Sequence, residues 1–243
     1  MTLSASTNLM KTSPWQEKPL VLEAVTPALI QAAGGSPILA KLLATRGLAT
    51  PEAVSVFLHP LNHQPASPSL LPDIELAMIR IQQAIQQQEM ILVWGDFDVD
   101  GVTGTSVFME ALQTLGAKVS YYIPSRHDEG HGLNSAALMR LVSSRQIKVV
   151  ITTDCGTGNF KEISLLKSLG VDVIVTDHHE LPDNLPPAHA IVNALRLENT
   201  HPFRYLSGAG IAFHVARALY QAAGLPESES DKLLDIAAIG TIV

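Results

Sequence analysis

From Met90 onward the chain alternates short apolar runs with longer amphipathic ones. Met90–Trp94, Lys118–Ile123, Lys148–Thr152, Asp172–Thr176 and Ala190–Asn193 are rich in Val and Ile and bounded by turn residues, as buried strands are. Between the first four, a helical period takes over at Val102–Leu115, Ser135–Ser144 and Phe160–Leu169. Gly116 and Gly170 fall where helix C-termini favour glycine. Regular β-α-β alternation predicts a parallel sheet wrapped by helices, with ligands at the carboxyl ends of its strands.

The chain before Met90 has a different grain. Ala28–Ala33, Pro37–Thr45 and Pro51–Leu58 read as short helices, punctuated by Gly34-Gly35, Gly47 and Pro60. The stretch Pro60–Pro72 reads as a loop or ordered linker, with His59 and His63 as surface loop residues. Ile74–Gln88 then carries Ile74, Met78, Ile81 and Ile85 on one helical stripe. The expected organisation is a small helical N-terminal region with a linker over 1–72, followed by an α/β domain over 73–243. In that domain a parallel sheet is flanked by helices.

After Asn193 a loop leads to Ser207-Gly208-Ala209-Gly210, which opens a helix to Ala223. Ser230 reads as the N-cap of a last helix, Asp231–Ala238, and Ile239–Val243 as a strand-like run. An apolar run is a poor place for a terminal carboxylate, so the chain is expected to be part of something longer.

Composition narrows the setting. Of the residues, 47% are hydrophobic and 16% charged, which fits a well-filled α/β interior and not a disordered chain. A net charge of −7 does not advertise phosphate contacts, so any nucleic-acid binding has to come from a local patch or from metals. The single Cys155 excludes an internal disulfide and fits a reducing cytoplasm; at a strand end it reads as a small buried hydrophobe. Met1–Pro19 lacks the apolar core of a signal peptide, and no window approaches a membrane span. A soluble, cytoplasmic protein is the expectation.

The chemistry collects at three strand ends. The first run enters Gly95-Asp96-Phe97-Asp98-Val99-Asp100-Gly101, where three aspartates alternate. A strand sends alternate side chains to one face, so these carboxylates are expected to converge at the strand tip, where they repel unless a cation sits between them. The third run ends in Asp154, followed by Gly156 and Gly158, and the fourth in Asp177-His178-His179. A lone aspartate after a strand is as often a turn former as a ligand, and a His-His pair alone is more often loop surface. Three such ends in one sheet make a mixed oxygen and nitrogen donor set, suited to Mn²⁺ or a similar first-row ion. Gly208-Ala209-Gly210 before a helix admits two readings, an anion site at exposed N–H groups or a close-packed helix start. Arg126 overhangs the same edge, as a phosphate contact or a solvated loop residue.

Taken in order, Gly95–Thr103, Thr153-Asp154-Cys155-Gly156, Asp177-His178-His179 and Leu206–Gly210 resemble the successive motifs of the DHH phosphoesterase superfamily. They are most similar to its single-strand-specific exonucleases. Leu70-Leu71-Pro72-Asp73 and Ala190–Asn193 extend the resemblance, which covers about residues 50 to 243. It implies two divalent ions, typically Mn²⁺ with Mg²⁺ as an alternative, about 3.5–4 Å apart and clamping a phosphate for in-line attack by hydroxide. Asp98 and Asp100 match metal ligands, with Asp96 in the same cluster. Asp154 matches the bridging ligand and His178 a further one. His179 is expected to face the scissile phosphate and Asp177 to orient the histidines. Arg126, His131, Ser207, Gly208 and Gly210 are the expected substrate contacts, His131 standing where the family commonly has Tyr.

The implied activity is stepwise 5′ to 3′ removal of nucleotides from single-stranded DNA, in DNA repair and recombination, with repair or replication proteins as possible partners. The family pattern continues past Gly-Thr-Val into Ala-Asp, a further ligand, and then into more domains. This chain ends at Gly240-Thr241-Ile242-Val243, so weak activity is expected of it alone. Ala194 stands where Pro usually follows the Asn. Two other readings stay open: a phosphodiesterase of nano-oligonucleotides or cyclic dinucleotides, and a non-catalytic scaffold. The Gly-Asp-Phe-Asp-Val-Asp form favours the exonucleases.

Overall fold

A computed structural model describes residues 25–59 and 65–243. The readings of Met1–Pro19, His63 and residues 60–64 of the Pro60–Pro72 linker therefore lie outside the described residues. The chain divides into two compact units, Met1–Pro65 and Ala66–Val243.

In the first unit α1 (Pro27–Ala32), α2 (Pro37–Thr45) and α3 (Pro51–Leu58) start alike. Thr26, Ser36 and Thr50 each accept the N–H of the third residue on, at 3.2 Å, and each is followed by proline. Proline costs nothing at that first position, because its missing N–H has no helical partner there anyway. Leu29, Ala40, Leu43 and Val54 form the buried centre of this unit.

The second unit runs α4 (Ile74–Gln86), β1 (Met90–Gly95), α5 (Val99–Thr114), β2 (Lys118–Tyr122), α6 (Ser135–Arg145), β3 (Ile147–Thr153) and α7 (Phe160–Ser168). It continues with β4 (Asp172–Asp177), β5 (Ala190–Asn193), α8 (Gly208–Ala222), α9 (Glu227–Asp231) and α10 (Leu234–Ile242). The sheet is parallel throughout, in the order β2-β1-β3-β4-β5. Successive residues serve opposite faces. Ile91, Val93, Val149 and Ile151 join the core under α4, α5 and α8, while Leu92, Trp94, Val150 and Val175 join the one under α6 and α7. Burying each such side chain is worth about 1.5–3 kcal/mol, which lets the strands carry costly polar residues at their tips. Strand order reverses between β1 and β3, and the crevice at that switch point is where ligands bind in open α/β sheets.

Two local expectations change. The alternating aspartates do not lie on a strand, because β1 ends at Gly95. Asp98 is the N-cap of α5, its Oδ1 accepting the N–H of Gly101 at 3.0 Å, and Asp100 stands in the first helical turn. The carboxylates converge through a tight strand-to-helix turn: a Cβ at Gly101 would come within 2.5 Å of the Asp96 backbone. The second change is at the C-terminus, where Ile239–Ile242 is helical and not strand-like, as part of α10. Small residues explain it. Ala237 and Gly240 turn inward while Ile239 and Ile242 stay exposed, and a Cβ at Gly240 would lie 2.2 Å from Thr103 Oγ1. Ser230 donates to the Glu227 carbonyl inside α9 and does not cap a following helix.

Candidate metal centre

Asp154 is the centre of the site. It follows β3 directly, is almost fully buried and holds a left-handed backbone, φ +62°. That conformation is uncommon for a residue with a Cβ, and aspartate tolerates it better than most. Its N–H is committed to the Thr176 carbonyl of β4, at 3.0 Å. Its Oδ1 is buried and accepts no hydrogen bond, although His178 Nε2 stands 2.9 Å away. An orphaned carboxylate oxygen in the interior is expensive unless a cation completes it.

Two donor groups meet at this residue. Asp96, Asp98 and Asp154 offer ligand atoms within 4.8 Å of one another, and so do Asp154, His178 and His179. The first group is all oxygen and the second mixes oxygen with imidazole nitrogen, a set that fits first-row divalent ions. The charges show the same strain. Burial above all, with Asp100 and Asp98 adding like charge, pushes the Asp154 carboxyl up to about 6. The close approach of Asp154 raises His178.

Asp177, at the end of β4, is turned to a different task. Its Oδ1 accepts from the backbone of His178 (2.8 Å) and His179 (3.2 Å) and faces His179 Nδ1 at 2.8 Å; its Oδ2 accepts from Thr157 N at 2.9 Å. Burial alone would raise this carboxyl, but the bonds from His179 and Thr157 outweigh it and hold it low. In return Asp177 lifts His179 to about 9, fixing a cationic ring at the mouth of the site. Asn193, fully buried at the end of β5, donates to the His179 carbonyl and to Thr157 Oγ1, each at 3.0 Å. Neither Thr157 nor Asn193 was singled out from the residues. A polar residue closing the apolar run Ala190-Ile191-Val192 is the signal that could have found Asn193.

The remaining sequence-predicted residues separate into two sets. His131, with Asp96, Phe97, Asp154 and His179, lines a cleft of about 710 Å³. Trp94 Nε1 donates to the Gly132 carbonyl at 3.1 Å and pins the loop that carries His131. The Arg126 guanidinium lies 5.1 Å from the centre of the Phe97 ring, on the same rim. Ser207, Gly208 and Gly210 stand at the start of α8, where the N–H groups of the first turn have acceptors within the protein. Gly208 N and Ala209 N donate to the two oxygens of Asp100, and Gly210 N to Ser207 Oγ. Asp100 is thereby drawn toward α8, with His178 Nε2 at 3.5 Å. Cys155 is buried, and burial raises its thiol well above the usual range, so it is an inert filler beside the cleft.

Residues 90–241 match the DHH family, N-terminal domain. The chain is 44% identical over 207 residues to the single-stranded-DNA-specific exonuclease RecJ of Bacillus subtilis (strain 168), covering 85% of this chain and 25% of that protein. It is 37% identical over 184 residues to the RecJ of Haemophilus influenzae, covering 72% of this chain and 32% of that one. The crystal structure of RecJ from Thermus thermophilus in complex with Mn²⁺ superposes with a TM-score of 0.74 at 30% identity, over 92% of this chain and 31% of that chain. The chain thus spans between a quarter and a third of the length of these relatives. Among the described residues no helix is long and apolar enough to cross a membrane.

Proposed function

The chain belongs to the DHH family, and from that membership we propose that it carries the centre of a two-metal phosphodiesterase that removes nucleotides from the 5′ end of single-stranded DNA. In this reading residues 73–243 are the catalytic domain and residues 1–72 a helical region with a linker, acting in the cytoplasm in DNA repair and recombination. The observation that carries the reading is Asp154, a buried carboxylate common to both donor groups, whose Oδ1 faces His178 Nε2 at 2.9 Å.

Asp96, Asp98, Asp100, Asp154 and His178 would hold the ions, with Asp154 common to both donor groups. Mn²⁺ or Mg²⁺, when bound there, supplies Lewis-acid neutralisation of the phosphate and acidifies the attacking water. His179 is held by Asp177 through Nδ1, which leaves the other ring nitrogen to meet a phosphate oxygen. A hydrogen bond from that nitrogen would offset the charge that builds on the phosphoryl group. Phe97 and Arg126 on the rim suit the nucleotide next to the scissile bond, the ring by stacking and the guanidinium by pairing with phosphate.

The test is digestion of long single strands labelled at either end, in Mn²⁺, against duplex and dinucleotide controls. Release from the 5′ end of the single strand alone, abolished by Asp154→Ala, is the expected result. Preference for the dinucleotide would replace this reading with an oligonucleotide-scavenging one. Mn²⁺ binding without cleavage of any substrate would leave a scaffold.

A further inference from the structure

The first turn of α8 presents two N–H groups that already have an anion. Gly208 N donates to Asp100 Oδ2 and Ala209 N to Asp100 Oδ1, each at 2.7 Å. The same turn presses on Asp154, for a Cβ at Gly208 would stand 2.6 Å from Asp154 Cβ and 2.9 Å from its Cα. Asp154 has little freedom to retreat, since its backbone is left-handed and tied to β4. α10 closes the packing: a Cβ at Gly240 would meet Ala209 Cβ at 2.7 Å and Asp100 Oδ1 at 3.1 Å.

We propose that the start of α8 is the positioning device of the metal-binding carboxylates, with Gly208 as its positioning residue. It holds Asp100 of α5 by two amides and Asp154 of β3 by direct packing, and so sets the gap between two walls of the site. The helix end does favour an anion, as its dipole requires, but that anion is a side chain of the protein and not a substrate phosphate. A bidentate grip also fixes the orientation of Asp100, which a single hydrogen bond would leave free to rotate. The inference rests on the reading of Asp154 and its neighbours as metal ligands.

Calorimetric titration of Mn²⁺ into the full chain tests it, alongside thermal melts in chelator. Gly208→Ala is expected to weaken Mn²⁺ binding by about ten-fold or more, the usual effect of disturbing a ligand's supporting contacts. Ala209→Pro removes one of the two amide donors within a first turn, where proline is tolerated, and is expected to weaken binding likewise. It decides the matter if Gly208→Ala does not fold. The control is Gly170→Ala, at φ +71° after α7 and away from the strand tips, which should lower the melting temperature and leave Mn²⁺ affinity unchanged. Wild-type affinity in a folded Gly208→Ala or Ala209→Pro overturns the inference. Failure of the wild-type chain itself to bind Mn²⁺ overturns instead the metal reading beneath it.

Discussion

Asp154 Oδ1 and His178 Nε2 face each other at 2.9 Å across the ends of β3 and β4, and that oxygen accepts no hydrogen bond. A buried carboxylate oxygen and an imidazole nitrogen brought so close converge as two donors to a single cation would. Hydrophobic strands on both sides supply the energy that holds the pair together.

Asp154→Asn should therefore stabilise the metal-free protein while destroying its metal response. Asparagine suits the left-handed backbone at φ +62° and removes a buried charge from among like charges. A higher melting temperature than wild type is expected in chelator. In Mn²⁺ the wild type should gain stability by mass action and the variant should not. A variant that melts lower than wild type in chelator would contradict the account of strain at this residue.

Asp177→Asn should act on stability and on the orientation of His179 together. Three donors converge on Asp177 Oδ1 and a fourth on Oδ2, so an amide NH₂ in either place must face a donor. The loss of a charge-assisted bond and the burial of an unmet N–H together cost about 2–4 kcal/mol. Urea denaturation measures that cost. A change below about 0.5 kcal/mol, the range of ordinary surface substitutions, would show that the carboxylate is not the anchor described.

Much of this architecture was legible in the residues, for identifiable reasons. Strands buried on both faces leave unbroken Val and Ile runs, so all five strands were placed to within a residue or two at each end. The donor types at the strand tips were legible too, because three apolar runs ending in Asp or Asp-His-His put more donors on one sheet edge than turn formation needs. What could not be read was how the donors meet. A spacing of two between Asp98 and Asp100 fits a strand as well as a cap followed by a helical turn, and only the closeness of Gly101 to the Asp96 backbone decides for the turn. The grip of Gly208 and Ala209 on Asp100 spans more than a hundred residues and leaves no local trace. Ile239–Val243 is too short for periodicity to separate helix from strand, and its packing against Thr103 decides it.

Trp94→Phe isolates the tie between the sheet and the loop bearing His131. The ring of Trp94 is fully buried and packs on Tyr122 with centroids 4.7 Å apart, so phenylalanine keeps most of the packing but not the Nε1 donor. The Gly132 carbonyl is left without that partner, at a cost of about 1–3 kcal/mol. The hydrogen-exchange protection of residues 130–134 should fall by more than that of β1 itself. Equal loss in both would mean that Trp94 acts through core packing alone.

His214 gives the protein an acid limit away from the metal centre. It lies on α8, buried against Phe203 (ring centroids 4.3 Å) and Phe213 (5.4 Å), with Nδ1 unpartnered. Burial first, and then the charge of Arg217, lowers it to about 4. The folded form therefore resists the proton that the unfolded chain accepts near pH 6.5. Between those values the unfolded state binds more protons, so stability is complete above about pH 6.5 and falls as pH drops toward 4. The full swing is roughly 3 kcal/mol. His214→Phe removes the titrating group and fills the same aromatic niche, so its urea midpoint should change less than that of the wild type between about pH 7 and about pH 4.5. Parallel losses in the two proteins would place the acid sensitivity in the carboxylates and not in His214.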